Sequence, residues 1–230
     1  MFKISTLIRF LLSIVFIFLL SFFWWRDVIR ESSYLGFHTN NVQSNLLTRM
    51  VWFISSEVLF FFRFFWSFFH SSLRVCVDLF STWPPVRVEV LNPVGVPLLN
   101  TVVLLSSRFT VTWAHYSLLL NNYKDALYRI IFTIRLRVFF TFLQSMEYLD
   151  GFFLISDSVY RSVFYIATRF HRFHVIVRSI FLLVSAFRIL AGQFNIKHHI
   201  RLECSIWYWH FVDVVWIFLY ISIYWWRSVI

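Results

Sequence analysis

Six windows of about 20 residues, each apolar over most of its length, dominate this chain. A helix of that length crosses the hydrocarbon core of a bilayer. Inside lipid only helices and closed barrels satisfy their own backbone hydrogen bonds. The spans lie at Ile4–Trp25, Arg49–His70, Val96–Leu118, Leu127–Met146, Ser158–Leu190 and Ser205–Trp226. The fifth is long enough to tilt or to project beyond the bilayer. No internal repeat and no low-complexity linker interrupts them, so the predicted fold is all-α: a polytopic transmembrane helical bundle forming a single domain over residues 1–230. Composition agrees, since 60% of residues are hydrophobic against 14% charged and the mean hydropathy is +0.71. Those values exclude a disordered chain and argue against a soluble globule.

Polar segments separate the spans: Arg26 to Glu31, Trp83-Pro84-Pro85 with Asn92-Pro93, Asn121 to Asp125, Glu147 to Asp157, and Asn195 to Glu203. Basic residues mark the loops retained on the cytoplasmic or matrix side. The first, third and fifth loops carry Arg26, Arg30, Lys124 and Lys197, whereas the second and fourth carry Asp78, Glu89, Glu147, Asp150 and Asp157. The first set is expected on the matrix side, with both termini opposite. Trp24, Trp25, Trp225 and Trp226 then fall where interfacial aromatic belts form. The two cysteines, Cys76 and Cys204, are too few to define a disulfide framework or a zinc site. Hydrophobic sequence begins at once, with no Arg/Ser-rich leader and no cleavage site. That pattern points to synthesis inside an organelle.

Several blocks of residues are distinctive. They are Trp24-Trp25-Arg26-Asp27-Val28-Ile29-Arg30-Glu31, Ser56-Glu57-Val58-Leu59-Phe60-Phe61, Phe69-His70-Ser71-Ser72-Leu73, Val96-Pro97-Leu98-Leu99-Asn100-Thr101, Thr112-Trp113-Ala114-His115, and the run from Trp207 to Trp216 through His210 and Asp213. In order and in loop length, from about Trp24 to the C-terminus, they resemble subunit III of cytochrome c oxidase. The resemblance implies a helical, non-redox core subunit of the proton-pumping terminal respiratory oxidase, in the mitochondrial inner membrane. It implies haem and copper held by partner subunits, catalytic subunit I and subunit II among them, and none in this chain. It further implies structural phospholipid in a cleft between an N-terminal helix over residues 1–31 and a five-helix bundle over residues 46–230, together with support of proton uptake and of the catalytic subunit. The family has seven spans, so its first is expected to be missing here.

Arginine departs from that pattern. Arg49, Arg63, Arg87, Arg108, Arg137, Arg161, Arg169, Arg172, Arg178, Arg201 and Arg227 stand where the family has glycine. An arginine near the centre of a span costs roughly 2.5–3.5 kcal/mol on insertion scales. For Arg63, Arg108, Arg137, Arg169 and Arg172 together the cost is about 15 kcal/mol, comparable with the whole stability of a domain. Glu57 is the one carboxylate well inside the second to fifth spans. The expectation is that the eleven codons are read as glycine by an organelle genetic code. Eleven added to the four glycines makes 15, about 6.5% of 230 residues and an ordinary content. The formal charge of +10 then falls by eleven to −1, which removes the argument for a nucleic-acid partner. Glycine at 161, 169 and 172 would also give the fifth span a small face for close helix approach. Arg26, Arg30 and Arg188 are taken as true arginines; Arg74, Arg129 and Arg135 are left undecided.

Glu57 is the sharpest chemical candidate. Burial among Phe53, Val58, Phe60, Phe61 and Phe64 disfavours the charged form of a carboxyl group, and ionisable groups inside a membrane mark functional sites by default. The resemblance makes Glu57 the family's carbodiimide-reactive, proton-uptake residue, and makes Trp25, Arg30, Glu57 and His174 the lipid-binding candidates. Cationic and amphipathic groups at a helix rim can hold a phosphodiester head group. The alternative for Glu57 is a neutral group that locks helix packing. Asp213, with His210 three residues before it, is expected to be structural. His171 and His174 share a helical face, and with His115 and His210 they permit a bis-His haem to be drawn. Hydrogen-bonded packing is the expectation instead, with no metal site, because no ligand spacing for copper or zinc links them. Other functions left open are a stand-alone membrane carrier, which lacks support from paired helix breaks, a b-type haem membrane protein, and an unexpressed gene copy.

Overall fold

A computed structural model describes residues 2–74, 83, 92–150, 158–195 and 198–226. The described residues form six α-helices: α1 Phe2–Ser33, α2 Asn40–Leu73, α3 Val96–Leu119, α4 Tyr123–Asp150, α5 Val159–Leu190 and α6 Ile200–Leu219, the last prolonged by a π-helical segment Tyr220–Trp225. Four of them, α1, α2, α5 and α6 with its π extension, are long and apolar enough to cross a membrane. The two others, α3 and α4, carry Arg108 and the trio Arg129, Arg135 and Arg137. The architecture is the predicted helical membrane bundle. Asp78, Glu89, Asp157, Cys76, Pro84, Pro85, Lys197, Arg87 and Arg227 lie outside the described residues.

The chain divides into two compact units, Met1–Thr48 and Arg49–Ile230. In the first, α1 is a lipid-type helix, with Phe16, Phe18, Phe22 and Trp24 between 62% and 74% exposed. The helix runs beyond the apolar window, which ends at Trp25, through Arg26 to Glu31, because nothing in those residues breaks a helix. It stops just before Gly36, whose φ of +66° favours glycine, and the Leu35 amide turns back to the Arg30 carbonyl at 3.2 Å. The next helix, α2, starts at Asn40, nine residues earlier than the apolar window at Arg49. At 34 residues it is about 50 Å long, more than the roughly 30 Å hydrocarbon core requires.

In the second unit α3 packs on α4, α4 on α5, α5 on α6, and α6 back on α3, closing a ring. Local chemistry sets the ends of these helices. Pro97 lies in the first turn of α3, where a missing N–H costs nothing. Asn121, at φ +62°, closes α3 with its own amide on the Leu118 carbonyl at 3.0 Å and the Asn122 amide on Ser117 at 2.9 Å. Gly192, at φ +65°, closes α5 in the same way on Ile189 and Arg188. This is the Schellman pattern. Ser158 caps the start of α5 by accepting from the Arg161 amide at 3.3 Å.

Two buried clusters fill the ring. One is aromatic, built on Phe61, Phe68, Phe140, Phe164, Tyr208, Trp216 and Tyr224. The other is mostly aliphatic, with Val111, Leu118, Ile130, Leu182, Leu202 and Trp209. Helix α2 joins the unit through rings: Phe60 meets Phe170 at 5.1 Å between centroids, and Phe68 meets Tyr160 at 6.3 Å. Edge-to-face pairs of this kind add about 0.5–1.5 kcal/mol beyond area burial. Polar ties also cross the ring. Thr110 and Thr133 hydroxyls are 2.8 Å apart, and the Trp216 indole N–H donates to the Thr101 hydroxyl at 3.2 Å. The π widening of the last segment is matched by the Tyr160 hydroxyl, which donates to the Ile223 carbonyl at 3.3 Å.

Candidate functional site

Glu57 projects from the middle of α2 and His174 from the middle of α5. The His174 Nε2 and Glu57 Oε2 atoms are 2.7 Å apart. The other ring nitrogen, Nδ1, lies 2.7 Å from the Phe170 carbonyl. A carbonyl only accepts, so Nδ1 carries a hydrogen. The short Nε2–Oε2 contact then needs a second proton between its two atoms, since neither an imidazole lone pair nor a carboxylate can donate. The pair therefore shares a hydrogen across that contact, while the ring is anchored separately on Phe170. His174 retains 8% of its side-chain exposure and Glu57 20%. Phe61 covers the imidazole at 5.0 Å and Phe60 at 6.0 Å, and the Tyr208 ring lies 6.5 Å away. The setting is apolar with one edge open, which suits a group that exchanges protons or meets a lipid.

Of the four lipid-binding candidates the structure brings Glu57 and His174 together. Trp25 and Arg30 belong to the other unit, on α1, where Trp25 is 60% exposed and Arg30 occupies the last turn. His38 precedes α2, and its carbonyl accepts from the Gln43 side-chain amide at 2.8 Å.

A second polar centre lies between the two hydrophobic clusters. Asp213, fully buried on α6, accepts through Oδ1 from Arg178 Nη1 at 2.6 Å and from Arg137 Nη2. Arg178 also donates to the Trp209 carbonyl at 2.7 Å, and both guanidinium groups stack over the Trp209 ring, at 4.5 and 4.8 Å. Asp213 thus takes its hydrogen bonds from α4 and α5, not from His210, the neighbour suggested by three-residue spacing. The sequence separations of 35 and 76 residues hide those partners. One carboxylate serves two cations, and Arg137 Nε and Nη1, Arg178 Nε and Nη2, and Asp213 Oδ2 find no hydrogen-bond partner. The other arginines taken for glycine are divided: Arg49, Arg63, Arg108 and Arg169 are exposed, Arg172 and Arg201 are half-buried, and Arg161 is buried. Arg172 donates to the Ser145 hydroxyl at 2.8 Å.

His171 packs as expected, with Nε2 at 3.2 Å from the Val212 carbonyl. His115 does not stand alone. Its Nε2 lies 3.3 Å from that of His199, which is 3.1 Å from Glu203 Oε1. Only the i,i+4 spacing of His199 and Glu203 is visible in the sequence. At the turn between α3 and α4, Asp125 accepts from the Ser117 hydroxyl at 2.9 Å and from Arg129 Nε at 3.2 Å. These donors, Ser117 first, hold its carboxyl below the usual aspartate range.

The geometry defines a polytopic helical membrane protein with a hydrogen-bonded Glu–His pair inside its bundle. Residues 1–228 match the family described as Cytochrome c oxidase subunit III. Curated relatives include cytochrome c oxidase subunit 3 of Heterololigo bleekeri, 49% identical over 96% of this chain and 85% of that protein. The subunit 3 proteins of Triticum aestivum and Antilope cervicapra are 51% and 55% identical, over 95% and 89% of this chain and 82% and 78% of theirs. The chain belongs to the cytochrome c oxidase subunit III family. It is a non-catalytic subunit of the terminal respiratory oxidase and works in a complex with other oxidase subunits. That membership sets aside the stand-alone carrier and the b-type haem protein.

Proposed function

We propose that this subunit supports proton uptake by the neighbouring catalytic subunit, through the proton held between Glu57 and His174 and through bound phospholipid. The observation that carries the proposal is the 2.7 Å Glu57–His174 contact, with Nδ1 anchored on Phe170. A proton in that contact can pass to a lipid head group or to water at the open edge while the ring stays in place. Trp25 and Arg30 supply the amphipathic and cationic groups that hold a phosphodiester. Subunits I and II are its partners and hold the haem and copper, and the mitochondrial inner membrane is its location. The test is the Glu57→Gln complex: its initial oxygen consumption should match that of the unmodified complex while its activity decays over fewer turnovers. Equal decay would remove Glu57 from proton uptake.

We also propose that positions 49, 63, 87, 108, 137, 161, 169, 172, 178, 201 and 227 carry glycine in the expressed subunit. The exposed Arg63, Arg108 and Arg169 on apolar helices, and the unpartnered N–H groups of Arg137 and Arg178, support it. Arginine at 137 and 178 is favoured instead by the shared bonds to Asp213. Tryptic peptides of the haem-containing complex across residues 158–190 decide between the two. Cleavage after positions 169, 172 and 178 requires arginine; uncut peptides of glycine mass establish the recoding.

A further inference from the structure

We infer that His115, His199 and Glu203 form a binding site for a divalent transition metal, zinc by ligand type, at the end of the bundle where α3 finishes and α6 begins. One ligand atom from each residue lies within 4.8 Å of the other two. The two measured edges are 3.3 Å, between the imidazole Nε2 atoms, and 3.1 Å, from His199 Nε2 to Glu203 Oε1. Tetrahedral ligands about 2.0–2.2 Å from one zinc ion lie roughly 3.3–3.6 Å apart, so two edges need adjust only by tenths of an ångström.

The hydrogen-bond pattern prepares the site. His199 Nδ1 lies 3.3 Å from the Asn195 carbonyl, and a carbonyl requires the ring hydrogen there. The Nε2 atom of His199 is then aimed at the cluster, the arrangement by which second-shell carbonyls orient zinc-binding imidazoles. It faces the Glu203 carboxylate and the second imidazole, and the hydrogen that the Nε2–Oε1 contact holds without metal is released when an ion takes its place. Two ring nitrogens and a carboxylate oxygen then converge on one point as ligands. His199 is buried and Glu203 is partly open to solvent, which leaves a fourth position for water. Two imidazoles and a carboxylate suit zinc, whereas magnesium and calcium take all-oxygen sets.

Placement gives the ion a structural consequence. His115 belongs to the last turns of α3, while His199 caps α6 and Glu203 sits in its first turn. A bound ion clasps the two helices that close the ring. The site uses none of the groups of the Glu57–His174 pair, and it stands or falls separately from proton uptake.

The test uses the whole oxidase complex, isolated through a tag on this chain, stripped with a chelator and titrated with zinc. Diffraction data at the zinc absorption edge should show an anomalous peak bounded by His115, His199 and Glu203, with nitrogen and oxygen neighbours at about 2.0–2.2 Å. His199→Asn and Glu203→Gln should each weaken zinc binding at this site at least tenfold, because even second-shell losses cost about 10–100-fold. Absence of the peak at saturating zinc overturns the site, and so does unchanged zinc affinity in both variants. Should a variant fail to assemble, the anomalous map of the unmodified complex decides. The haem spectrum of the same preparation reports the oxidase assignment separately.

Discussion

Replacing Glu57 separates the proposed proton role from the packing role of its contact with His174. In Glu57→Gln the amide N–H can donate to His174 Nε2 across the same 2.7 Å, and Nδ1 keeps Phe170. A neutral hydrogen bond replaces one that stores an exchangeable proton. Net hydrogen-bond contributions are about 0.5–1.5 kcal/mol when neutral and about 1.5–3 when charged groups take part. The expected loss of stability is therefore about 1 kcal/mol. Glu57→Leu is harsher, because it leaves a mostly buried imidazole nitrogen without a partner, at about 1–3 kcal/mol. Neither variant can release a proton from residue 57. Thermal dissociation of the subunit from the complex should rank wild type above Glu57→Gln above Glu57→Leu, while the number of turnovers before inactivation should fall alike in both variants. A turnover number that instead tracks the stability ranking, with Glu57→Gln close to wild type, would refute the proton-holding role and leave Glu57 as a packing group.

Other consequences are local. Asp125, held below the usual aspartate range by Ser117 and Arg129, is charged and paired in the folded state; its contribution is present above the unfolded-state pKa and is lost as the pH falls through the depressed folded value. Asp125→Asn should flatten the acid limb of a plot of dissociation temperature against pH. Gly192→Ala should destabilise the subunit by about 1–2 kcal/mol, since a Cβ at φ +65° is strained although no atom lies within 4 Å of it. Asn121→Gly at the equivalent turn of α3 should leave the dissociation temperature unchanged or raise it. Ser158→Ala should cost about 1 kcal/mol through loss of the α5 cap, measured the same way.

Much of the fold was legible because a membrane helix announces itself by an apolar window of fixed length. The windows at Val96–Leu118 and Ser158–Leu190 agree with α3 and α5 to within a residue at each end. Hydropathy does not mark where a polar helix continues, so the apolar windows end at Trp25 and begin at Arg49 although the helices run on to Ser33 and start at Asn40. Glu57 stood out as a lone carboxylate among phenylalanines, but its partnership with His174 across 117 residues rests on helix packing that no local pattern encodes. The same holds for Asp213, whose adjacent His210 was the visible neighbour while Arg137 and Arg178 supply the bonds. His115 and His199, 84 residues apart, meet only because α6 closes back on α3. Ligand spacing read along the chain could not find them.

The most direct test of proton support is the rate of proton uptake during turnover. It is followed with a pH-sensitive dye on the complex in sealed vesicles, with cytochrome c supplied at one fixed rate. The account predicts that uptake in Glu57→Gln begins at the rate of the unmodified complex and declines over fewer turnovers at the same haem content. Identical decline in the two complexes would contradict it.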